Sequence, residues 1–452
     1  MNQINSFEGK KVLVFGLGQN QGGVGSALFF ASQNAHVRIT DLKTKEILKS
    51  SINQLTTYPN ISYTLGEHKT DDIDWADLII KNPAVKPGNS YIEYALEKGK
   101  RVEQDMGIFL EFVKPSQIIG ITGTKGKSTT ASLIYEILKE GRDTNLRGGV
   151  VLAGNIGTSV LECLNRIDGD TLVILELSSF QLEAFDTHKV SPHWAIITNI
   201  YEDHLNYYKN MDEYISAKKI IAKYQNSHDF LFIKREDPVL NNPKFLTGLK
   251  GQTIFYSSTD LPVDFEPILK GEHNLSNISA AFALGNNFNI NPKFLLKSLI
   301  HFKGVPFRME LIKEWAGFKI YNDTTATNPN ATVEALKTLG SEIILICGGM
   351  NKNMNYRELS CAINRYAKAV YFLEGDVADE IICDMADQSI IEGRFNNLEE
   401  LLKKLKEDIR KKPFYFKKGD IILFSPGATS FNMFQNEFDR GRKFNKAIDS
   451  IF

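Results

Sequence analysis

The sequence predicts an α/β protein with three domains, each built around a largely parallel β-sheet. Short apolar runs typical of buried strands alternate with amphipathic helical segments, and that alternation favours parallel sheets. Several of these strands run directly into glycine-rich or polar turns, which is typical of ligand sites at the carboxyl edge of such sheets. The length of 452 residues corresponds to about three domains. We expect the domains at residues 1–105, 106–304 and 305–452.

The composition is that of an ordinary globular protein and argues against several classes of partner. Apolar residues make up 42% and charged residues 24% of the chain, enough for several cores. The formal net charge of −1 provides no bulk attraction to nucleic acid. No stretch approaches the roughly 18 apolar residues of a membrane span, and no secretory signal pattern is visible. The four cysteines lack C-x-x-C spacing. We expect a cytoplasmic protein without a membrane or nucleic-acid partner.

The first domain begins with a strand that leads into a glycine turn. The apolar run Lys10–Phe15 is followed by Gly16 and Gly18, then by a helix, and a second strand ends at Asp41. This order is typical of a Rossmann-like dinucleotide fold, in which glycines let the backbone approach a pyrophosphate and an acidic residue binds a ribose. Gln21, however, occupies the third glycine position of the G-x-G-x-x-G pattern, and the turn is lengthened. The pattern therefore disfavours an intact NAD site and fits a more loosely held nucleotide diphosphate.

Two further strands are predicted in the first sheet. The apolar residues within Asp74–Pro83 form one strand, which ends in a loop punctuated by proline. The segment Lys98–Glu103 forms the last strand before the boundary. We place that boundary near Asp105.

The most informative stretch of the chain runs from Ile118 to Thr130. An apolar strand leads to a glycine turn, and Lys127 and Ser128 then open an amphipathic helix. Backbone N–H groups and the helix dipole favour a bound phosphate, the lysine neutralises the outer phosphates, and the serine hydroxyl can bind Mg²⁺. Ile121 stands where the full Walker pattern requires glycine, so this is a shorter Gly-x-x-Gly-Lys-Ser form. The alternative, a solvated lysine at a helix start, is disfavoured by the dipole. We interpret the stretch as an ATP site.

Two other strands of the central domain end in polar residues. One terminates at Glu176, and the other leads into Glu202, Asp203 and His204. An acidic residue at a strand end beside the phosphate-binding strand can reach Mg²⁺, although a solvated strand-end charge explains Glu176 equally well. A lone histidine is more often structural, but this one follows two acidic residues in the same domain as an ATP site. We therefore expect His204 to be a metal ligand.

Two predicted helices complete the central domain. Met211–Ile221 contains Lys218, which taken alone resembles a solvated helix charge. The segment Gly271–Asn277 opens an alanine-rich helix, and its polar residues cluster at the N-terminus. We expect that N-terminus to lie near the nucleotide.

The third domain again alternates strands and helices, which indicates a parallel, Rossmann-like sheet. The strand Phe318–Tyr321 leads into the polar turn Asn322–Asn328, and two more strands follow at Glu342–Cys347 and Asp420–Phe424. The segment Glu399–Lys412 mixes charges of both signs and is interpreted as an amphipathic helix with a solvated face.

These segments together resemble the Mur ligase family, the ATP-dependent amino-acid ligases of peptidoglycan precursor synthesis. The resemblance covers nearly the whole chain and is carried by Gly123–Thr129, Gly154–Gly157, Leu175–Leu182, Glu202–His204, His273–Asn274, Pro306–Arg308 and Ser430–Gly441. The most specific of these is Leu175–Leu182, Leu-Glu-Leu-Ser-Ser-Phe-Gln-Leu, because sister ligases carry different residues there. The resemblance is therefore to the branch of the family that adds D-glutamate.

The resemblance implies a reaction in two steps. ATP phosphorylates the alanyl carboxylate of UDP-N-acetylmuramoyl-L-alanine, and the amine of D-glutamate then attacks the acyl phosphate. The carboxylate and the γ-phosphate repel each other, so cations must lie between them. The implied cofactors are ATP and two Mg²⁺ ions.

The resemblance also implies which residues bind nucleotide and metal. The nucleotide contacts would be Gly123, Thr124, Lys125, Gly126, Lys127, Ser128 and Thr129, with Asn277, Arg308 and Asp323 holding adenine, phosphate and ribose. The metal ligands would be Ser128, Glu176, His204 and Lys218. A carbamylated Lys218 would act as a carboxylate-like ligand, which requires a neutral amine and hence a lowered pKa. Lys127, His204 and Lys218 would be the catalytic residues.

The substrates would be held at separate places along the chain. By the same resemblance, Asp41 and Lys43 contact the uridine, and Asn155 contacts the muramoyl group. Thr327, Lys352 and Ser430 would grip the carboxylates of the incoming glutamate, for which a lysine is electrostatically suited. A monomer is the expected state.

Three positions depart from the family pattern. Lys125 stands where asparagine is common, and Thr325 stands where some members carry a lysine near the phosphates. Glu437 replaces an aromatic residue that lines the glutamate pocket in some relatives. An acid facing a dicarboxylic substrate would repel it unless the side chain turned away. D-glutamate is the leading choice, and L-glutamate or another amino acid is the alternative.

Three other functions are compatible with parts of the sequence. A ligase of the folylpolyglutamate-synthetase type shares the central domain but lacks a uridine-binding domain, so residues 1–105 argue against it. An ATP-binding regulatory protein has little use for the second metal site implied by Glu176, His204 and Lys218. An NAD-dependent oxidoreductase is disfavoured by Gln21.

Overall fold

The computed structural model describes residues 7–18, 21–140, 148–156, 159–203, 207–269, 271–351, 354–429, 433–434 and 436–452. The chain divides into two compact units, Met1–Phe302 and Lys303–Phe452. The predicted α/β class is confirmed, because most strands of the three sheets are followed by a helix along the chain. Within the described residues, no helix is both long and apolar enough to cross a membrane.

The first sheet of the first unit has five parallel strands in the order β3-β2-β1-β4-β5. Its strands are β1 (Lys11–Phe15), β2 (His36–Asp41), β3 (Ile61–Leu65), β4 (Leu78–Lys81) and β5 (Arg101–Glu103). Its helices are α1 (Gln21–Ser32), α2 (Lys49–Asn53), α3 (Thr70–Trp75), α4 (Ser90–Glu97) and α5 (Asp105–Leu110). The strand order reverses between β1 and β4, and ligands bind at such a switch point in sheets of this type.

The second sheet of the first unit has six parallel strands in the order β11-β10-β9-β6-β8-β7. Its strands are β6 (Ile118–Thr122), β7 (Val150–Gly154), β8 (Leu172–Glu176), β9 (Trp194–Ile197), β10 (Phe230–Lys234) and β11 (Gln252–Tyr256). Its helices are α6 (Lys127–Glu140), α7 (Leu182–His188), α8 (Met211–Lys223), α9 (Pro243–Leu246), α10 (Glu272–Asn287) and α11 (Pro292–His301). β6 lies between β9 and β8 and is buried throughout, as its continuous apolar run predicts.

The second unit contains one six-stranded sheet in the order β12-β13-β17-β14-β15-β16. Its strands are β12 (Glu310–Trp315), β13 (Phe318–Asn322), β14 (Ile343–Gly348), β15 (Ala367–Leu373), β16 (Ile391–Phe395) and β17 (Ile421–Phe424). Its helices are α12 (Pro329–Leu339), α13 (Arg357–Tyr366), α14 (Asp376–Asp384), α15 (Leu398–Lys411) and α16 (Glu437–Ile451). Apolar clusters pack on both faces of this sheet.

The edge of this third sheet departs from the parallel arrangement that alternating strands and helices predict. β12 pairs antiparallel with β13, and a two-residue turn joins them at Ala316 and Gly317. Both turn residues have positive φ, +51° and +92°, as the tight hairpin turns that suit twisted strands require. Most residues of β12 are half-buried, so its sequence lacks the continuous apolar run by which the buried strands were recognised.

Candidate active site

In the loop between β6 and α6, Gly123 and Gly126 have backbone conformations that glycine adopts readily. Their φ angles are +143° and +86°, in a region that residues with a Cβ rarely enter. A methyl group at Gly123 would lie 1.9 Å from Oγ1 of Thr198, and one at Gly126 would lie 2.2 Å from Oδ1 of Asn277. The loop is thus a tight turn packed against the residue after β9 and against the side chain of Asn277 on α10.

Hydrogen bonds from the residues after β9 hold this loop in place. The N–H of Thr124 donates to the carbonyl oxygen of Asn199 at 3.0 Å, and the N–H of Lys125 donates to Oδ1 of Asn199 at 2.9 Å. The hydroxyl of Thr198 donates to the carbonyl oxygen of Lys125 at 2.6 Å. A loop fixed in this way presents its dipoles to a ligand without reorganising.

Two lysine side chains converge on the carbonyl oxygen of Gly123. Nζ of Lys127 donates to it at 2.9 Å and to the carbonyl oxygen of Thr124 at 3.1 Å. Nζ of Lys218, which projects from α8, donates to the same Gly123 oxygen at 2.9 Å. The glycine-loop motif predicts Lys127 at the phosphates, and the family resemblance implies Lys218 as a metal ligand. The fold brings both amines to one backbone atom.

Lys218 is buried, with 2% of its surface exposed. Burial, together with the nearby charge of Lys127, lowers the pKa of Lys218 to about 7 against the opposing effect of Asp203. The ring of Tyr214, one turn earlier on α8, lies 4.7 Å from Nζ. The amine is therefore available in its neutral form near neutral pH, unlike that of a solvated lysine.

Glu176 ends β8 and lies beside β6, opposite Ile121 in the sheet register. Its carboxylate is buried, and Oε1 accepts a hydrogen bond from Nδ2 of Asn155 at 3.1 Å. Among the described residues, Oε2 has no hydrogen-bond partner. A buried carboxylate oxygen without a partner is costly, and a divalent cation with oxygen ligands would satisfy it. Ser128, also buried, supplies a hydroxyl at the start of α6.

Three predicted site residues lie outside the described residues: His204, Lys352 and Ser430. Thr129 is described and lies half-buried in the first turn of α6. Asn277 lies beside the same helix, since Oγ1 of Thr130 donates to its Oδ1 at 3.5 Å.

Asp41 organises the glycine turn of the first sheet. Its Oδ2 accepts from the N–H of Gly18 at 2.9 Å, and its Oδ1 accepts from the N–H of Lys43 at 2.9 Å. The carboxylate is buried and joins the turn after β1 to the segment after β2. The two predicted uridine contacts, Asp41 and Lys43, are therefore adjacent at the carboxyl edge of the sheet.

The third glycine of this turn lies two residues later than the sequence pattern places it. Helix α1 begins at Gln21, and the close approach occurs at Gly23, where a methyl group would lie 2.1 Å from the carbonyl oxygen of Leu17. Gly23 therefore has the packing role that Gln21 cannot fill. The signal was present in the pair Gly22-Gly23, but a pattern of fixed spacing passes over it.

Asp323 follows β13 in the second unit and is buried. Its Oδ2 accepts from the hydroxyl of Ser425 at 2.7 Å, and its Oδ1 accepts from the N–H of Met309 at 3.1 Å. Burial raises the pKa of Asp323 to about 7, although these hydrogen bonds and the charges of Arg308 and Arg440 oppose the rise. Arg308 and Asp323, assigned separately to the nucleotide, are thus neighbours in this unit.

Arg440 on α16 is a buried residue that sequence analysis did not single out. Its guanidinium donates to Oγ1 and the carbonyl oxygen of Thr324 at 2.9 and 2.8 Å, and to the carbonyl oxygen of Ala428 at 3.1 Å. It therefore ties the turn after β13, which carries Thr327, to the segment after β17. Glu437 is half-buried, and its charge interacts favourably with that of Arg440, so part of its negative charge is offset.

Protein-family models of three Mur ligase domains match the sequence of the chain. The model of the MurD-like N-terminal domain matches residues 10–104, that of the Mur ligase middle domain matches 121–285, and that of the glutamate ligase domain matches 307–427. Together they cover most of the chain, and each falls on one of the three sheets.

Three relatives named UDP-N-acetylmuramoylalanine--D-glutamate ligase align with the chain from end to end. The protein of Roseiflexus sp. (strain RS-1) is 34% identical over 98% of this chain and 99% of its own. That of Borreliella afzelii (strain PKo) is 36% identical over 99% of this chain and 100% of its own. That of Clostridioides difficile (strain 630) is 30% identical over 98% of this chain and 99% of its own.

Solved structures share the fold. The UDP-N-acetylmuramate-alanine ligase MurC of Thermotoga maritima superposes with a TM-score of 0.57 at 20% identity, over 98% of this chain and 99% of that one. The MurF ligase of Thermotoga maritima, in complex with ADP, superposes with a TM-score of 0.50 at 16% identity over 100% of both chains. At such identities the superpositions support the fold alone. The relatives that are at least 30% identical over nearly the full length, with the three domain models, establish that this chain belongs to the Mur ligase family.

Proposed function

We propose that this chain joins D-glutamate to UDP-N-acetylmuramoyl-L-alanine with ATP, through an acyl phosphate, in peptidoglycan precursor synthesis. The observation that carries the proposal is the match to relatives named for D-glutamate ligation, at 30–36% identity over 98–99% of the chain. The segment Leu175–Leu182 supports the same branch of the family. The tight glycine loop at the start of α6 supports ATP as the phosphate donor.

The charges at the loop suit this reaction. The alanyl carboxylate of the muramoyl substrate and the γ-phosphate are both anionic, and their repulsion must be offset before a bond can form. Lys127 begins α6 directly after the loop and would exchange its bonds to the carbonyl oxygens of Gly123 and Thr124 for bonds to phosphate oxygens. The N-terminus of α6 favours the same negative charge. The amine of D-glutamate then attacks the acyl carbon, and phosphate leaves.

The residues around Glu176 fit Mg²⁺. The unpartnered Oε2 of Glu176 and the hydroxyl of Ser128 are oxygen ligands of the kind that Mg²⁺ prefers. We assign Ser128, Glu176, His204 and Lys218 to two ions, whose charge would offset the repulsion between carboxylate and phosphate. Lys218 would serve as a carbamate: its neutral amine bonds to the carbon of CO₂ and loses a proton. The lowered pKa of Lys218 supports that step.

The remaining sites follow the same assignment. Uridine contacts Asp41 and Lys43, and the muramoyl group contacts Asn155. The second-unit residues assigned to ATP are Arg308 and Asp323, and those assigned to glutamate are Thr327, Lys352 and Ser430. Asn277, beside the glycine loop, is assigned to adenine. We further propose the domain division 1–105, 106–304 and 305–452, a monomer, and a cytoplasmic location.

The decisive experiment measures phosphate release from ATP with UDP-N-acetylmuramoyl-L-alanine and one acceptor at a time. The acceptors are D-glutamate, L-glutamate, glycine and L-lysine. We expect turnover with D-glutamate alone, which would also indicate that the carboxylate of Glu437 turns away from the acceptor. Turnover with another acceptor would keep the ligase chemistry and change the specificity, and silence with all four would contradict the proposal.

A matched pair of variants tests the role of Lys127. Lys127→Ala should abolish phosphate release, because the outer phosphates lose their ammonium partner. Lys139→Ala, at the exposed far end of the same helix, should retain it. Near wild-type turnover in Lys127→Ala would contradict the assignment of the glycine loop to ATP.

A further inference from the structure

A cluster of polar contacts joins the first sheet to the second one within the first unit. Nζ of Lys81, the last residue of β4, lies 2.7 Å from Oε1 of Glu183 in the first turn of α7. The other carboxylate oxygen of Glu183 accepts from Nε2 of Gln104 at 3.0 Å. That same nitrogen donates to the carbonyl oxygen of Phe180 at 3.2 Å. Both carboxylate oxygens of Glu183 thus bind residues of the first sheet or of the segment after it.

On the side of the first sheet, the cluster lies at the switch point. β4 and β1 are neighbours, and the strand order reverses between them, so their carboxyl ends flank the crevice where a ligand binds. Asn82 follows Lys81 directly, and its Nδ2 donates to the carbonyl oxygen of Gly16 in the glycine turn at 3.3 Å. Lys81 is therefore anchored beside the turn assigned to the uridine substrate.

On the side of the second sheet, the cluster is joined to the ATP site by one short segment. Glu176, the candidate metal ligand, begins the segment, and Glu183 ends it. Two hydrogen bonds fix the segment to β6. The N–H of Leu177 donates to the carbonyl oxygen of Ile121 at 2.8 Å, and the hydroxyl of Thr122 donates to the carbonyl oxygen of Leu177 at 2.8 Å. Glu183 therefore belongs to a segment that is anchored to the strand before the ATP loop.

The burial of the Lys81 side chain makes the loss of its ion-pair partner unfavourable. Only 13% of the Lys81 side chain is exposed, against 41% of that of Glu183. A fully exposed pair contributes little because solvent screens it. Removal of the Glu183 carboxylate instead leaves the charge of the mostly buried Lys81 uncompensated, and that side chain then moves toward water or toward another anion.

We propose that Lys81 and Glu183 are positioning residues that set the alanyl carboxylate of the muramoyl substrate against the γ-phosphate of ATP. The inference rests on the proposed function. The uridine end of the muramoyl substrate is assigned to the first sheet and ATP to the loop of the second, so the placement of the alanyl carboxylate against the γ-phosphate depends on contacts that fix one sheet to the other. A misplacement of about 1 Å is enough to reduce a rate by about a hundredfold. The ion pair therefore contributes to the rate of acyl-phosphate formation without contacting either reactant.

The test compares Lys81→Met, Glu183→Gln and the charge-exchanged double variant Lys81→Glu/Glu183→Lys. We expect kcat for phosphate release to fall by about tenfold to a hundredfold in the single variants. The Kd values for ATP alone and for UDP alone should change by less than about twofold, because UDP is assigned to the first sheet and no residue assigned to ATP lies on that sheet. The double variant should recover most of kcat, because it restores the ion pair with reversed charges.

Lys223→Met is the matched control. Lys223 forms an ion pair of the same length, 2.7 Å, with Asp186 on α7, but both residues belong to elements of the second sheet. The kcat of Lys223→Met should equal that of the wild type.

Three outcomes would overturn the inference. Wild-type kcat in both single variants would do so directly. A fall in kcat accompanied by equal losses of ATP and UDP affinity, without recovery in the double variant, would indicate a merely structural role. A wild-type chain that releases no phosphate would overturn the proposed function and this inference with it, whereas an active wild type separates the two.

Discussion

At Lys218 the protein places an amine where a positive charge is unfavourable. The side chain is buried, its pKa is lowered to about 7, and the ammonium of Lys127 shares the same carbonyl partner. A structural lysine gains nothing from such a place, whereas a lysine that must react as a neutral amine does. The physical chemistry of the site therefore favours the carbamylated form that the family resemblance implies.

Carbamylation predicts chemical rescue. Lys218→Ala should lower kcat by about a hundredfold or more, because a charged ligand is lost at the site of phosphate chemistry. Acetate or another short carboxylate should restore part of that activity, and ¹³C-bicarbonate should give a carbamate signal in the wild type alone. Lys219→Ala is the control, since the neighbouring Nζ donates to the carbonyl oxygen of Thr247 near the surface. Failure of every short carboxylate to rescue, together with no carbamate signal, would contradict the prediction.

Asp323 predicts a pH dependence of stability. Burial raises its folded pKa from an ordinary value of 3.8 to about 7, so the folded state binds the proton more tightly than the unfolded state. The stability that this group contributes is complete below the unfolded pKa and is lost as the pH rises through the folded one. Between those values the loss is about 1.4 kcal/mol per pH unit.

Asp323→Asn tests this dependence because the amide does not titrate. The unfolding free energy of the variant should fall less steeply than that of the wild type between about pH 4 and about pH 7, as measured by denaturant unfolding without nucleotide. Its affinity for ATP should also fall, since Asp323 is assigned to the ribose. Parallel pH profiles for the two proteins would argue against a raised pKa.

Several candidate residues could be selected from the sequence, whereas their partners in the fold could not. Lys127 and Glu176 are recognisable because a glycine turn or a strand end precedes them along the chain. Ser425 and Arg440 contact Asp323 and Thr324 from distant segments, and nothing local in their sequence distinguishes them. Lys218 is intermediate: it resembled a solvated charge until the family resemblance singled it out, and only the fold accounts for its pKa.

Among the elements, the turn after β1 shows how a sequence pattern of fixed spacing can select the wrong residue. The fixed spacing of G-x-G-x-x-G pointed to Gln21, but the contact between α1 and the turn is made at Gly23. The strands with continuous apolar runs, such as β1, β6 and β8, followed from the sequence. β12 did not, because a half-buried hairpin strand at a sheet edge carries no continuous apolar run.

Adjacent glycines in α1 provide an element-scale prediction. Gly23→Ala should weaken binding of UDP by about tenfold or more, because its methyl group would collide with the carbonyl oxygen of Leu17 and displace the helix from the turn. Gly22→Ala should bind UDP normally and be slightly more stable, since its methyl group meets only Oδ2 of Asp105 at 4.0 Å and alanine favours a helix by about 1 kcal/mol. Binding can be measured by calorimetry, with ATP affinity as the control for intact folding. Equal UDP affinity in both variants would count against this role of the turn.

On the scale of the whole molecule, each unit has its own hydrophobic cores. Among the described residues, three buried clusters belong to Met1–Phe302 and two belong to Lys303–Phe452. One cluster of the first unit runs through both of its sheets, from Val12 to Leu231 and beyond, so those sheets should unfold together. A chain with separate cores need not unfold in a single step.

We therefore expect denaturant unfolding in two transitions, and paired core variants should assign them. Leu231 and Leu345 are both fully buried, one in each unit. Leu231→Ala and Leu345→Ala should each lower one transition by about 2–5 kcal/mol and leave the other unchanged. UDP at about a hundred times its Kd should raise only the transition that Leu231→Ala lowers, by about 2.7 kcal/mol. A single transition lowered by both variants and raised by UDP would mean that the two units unfold as one.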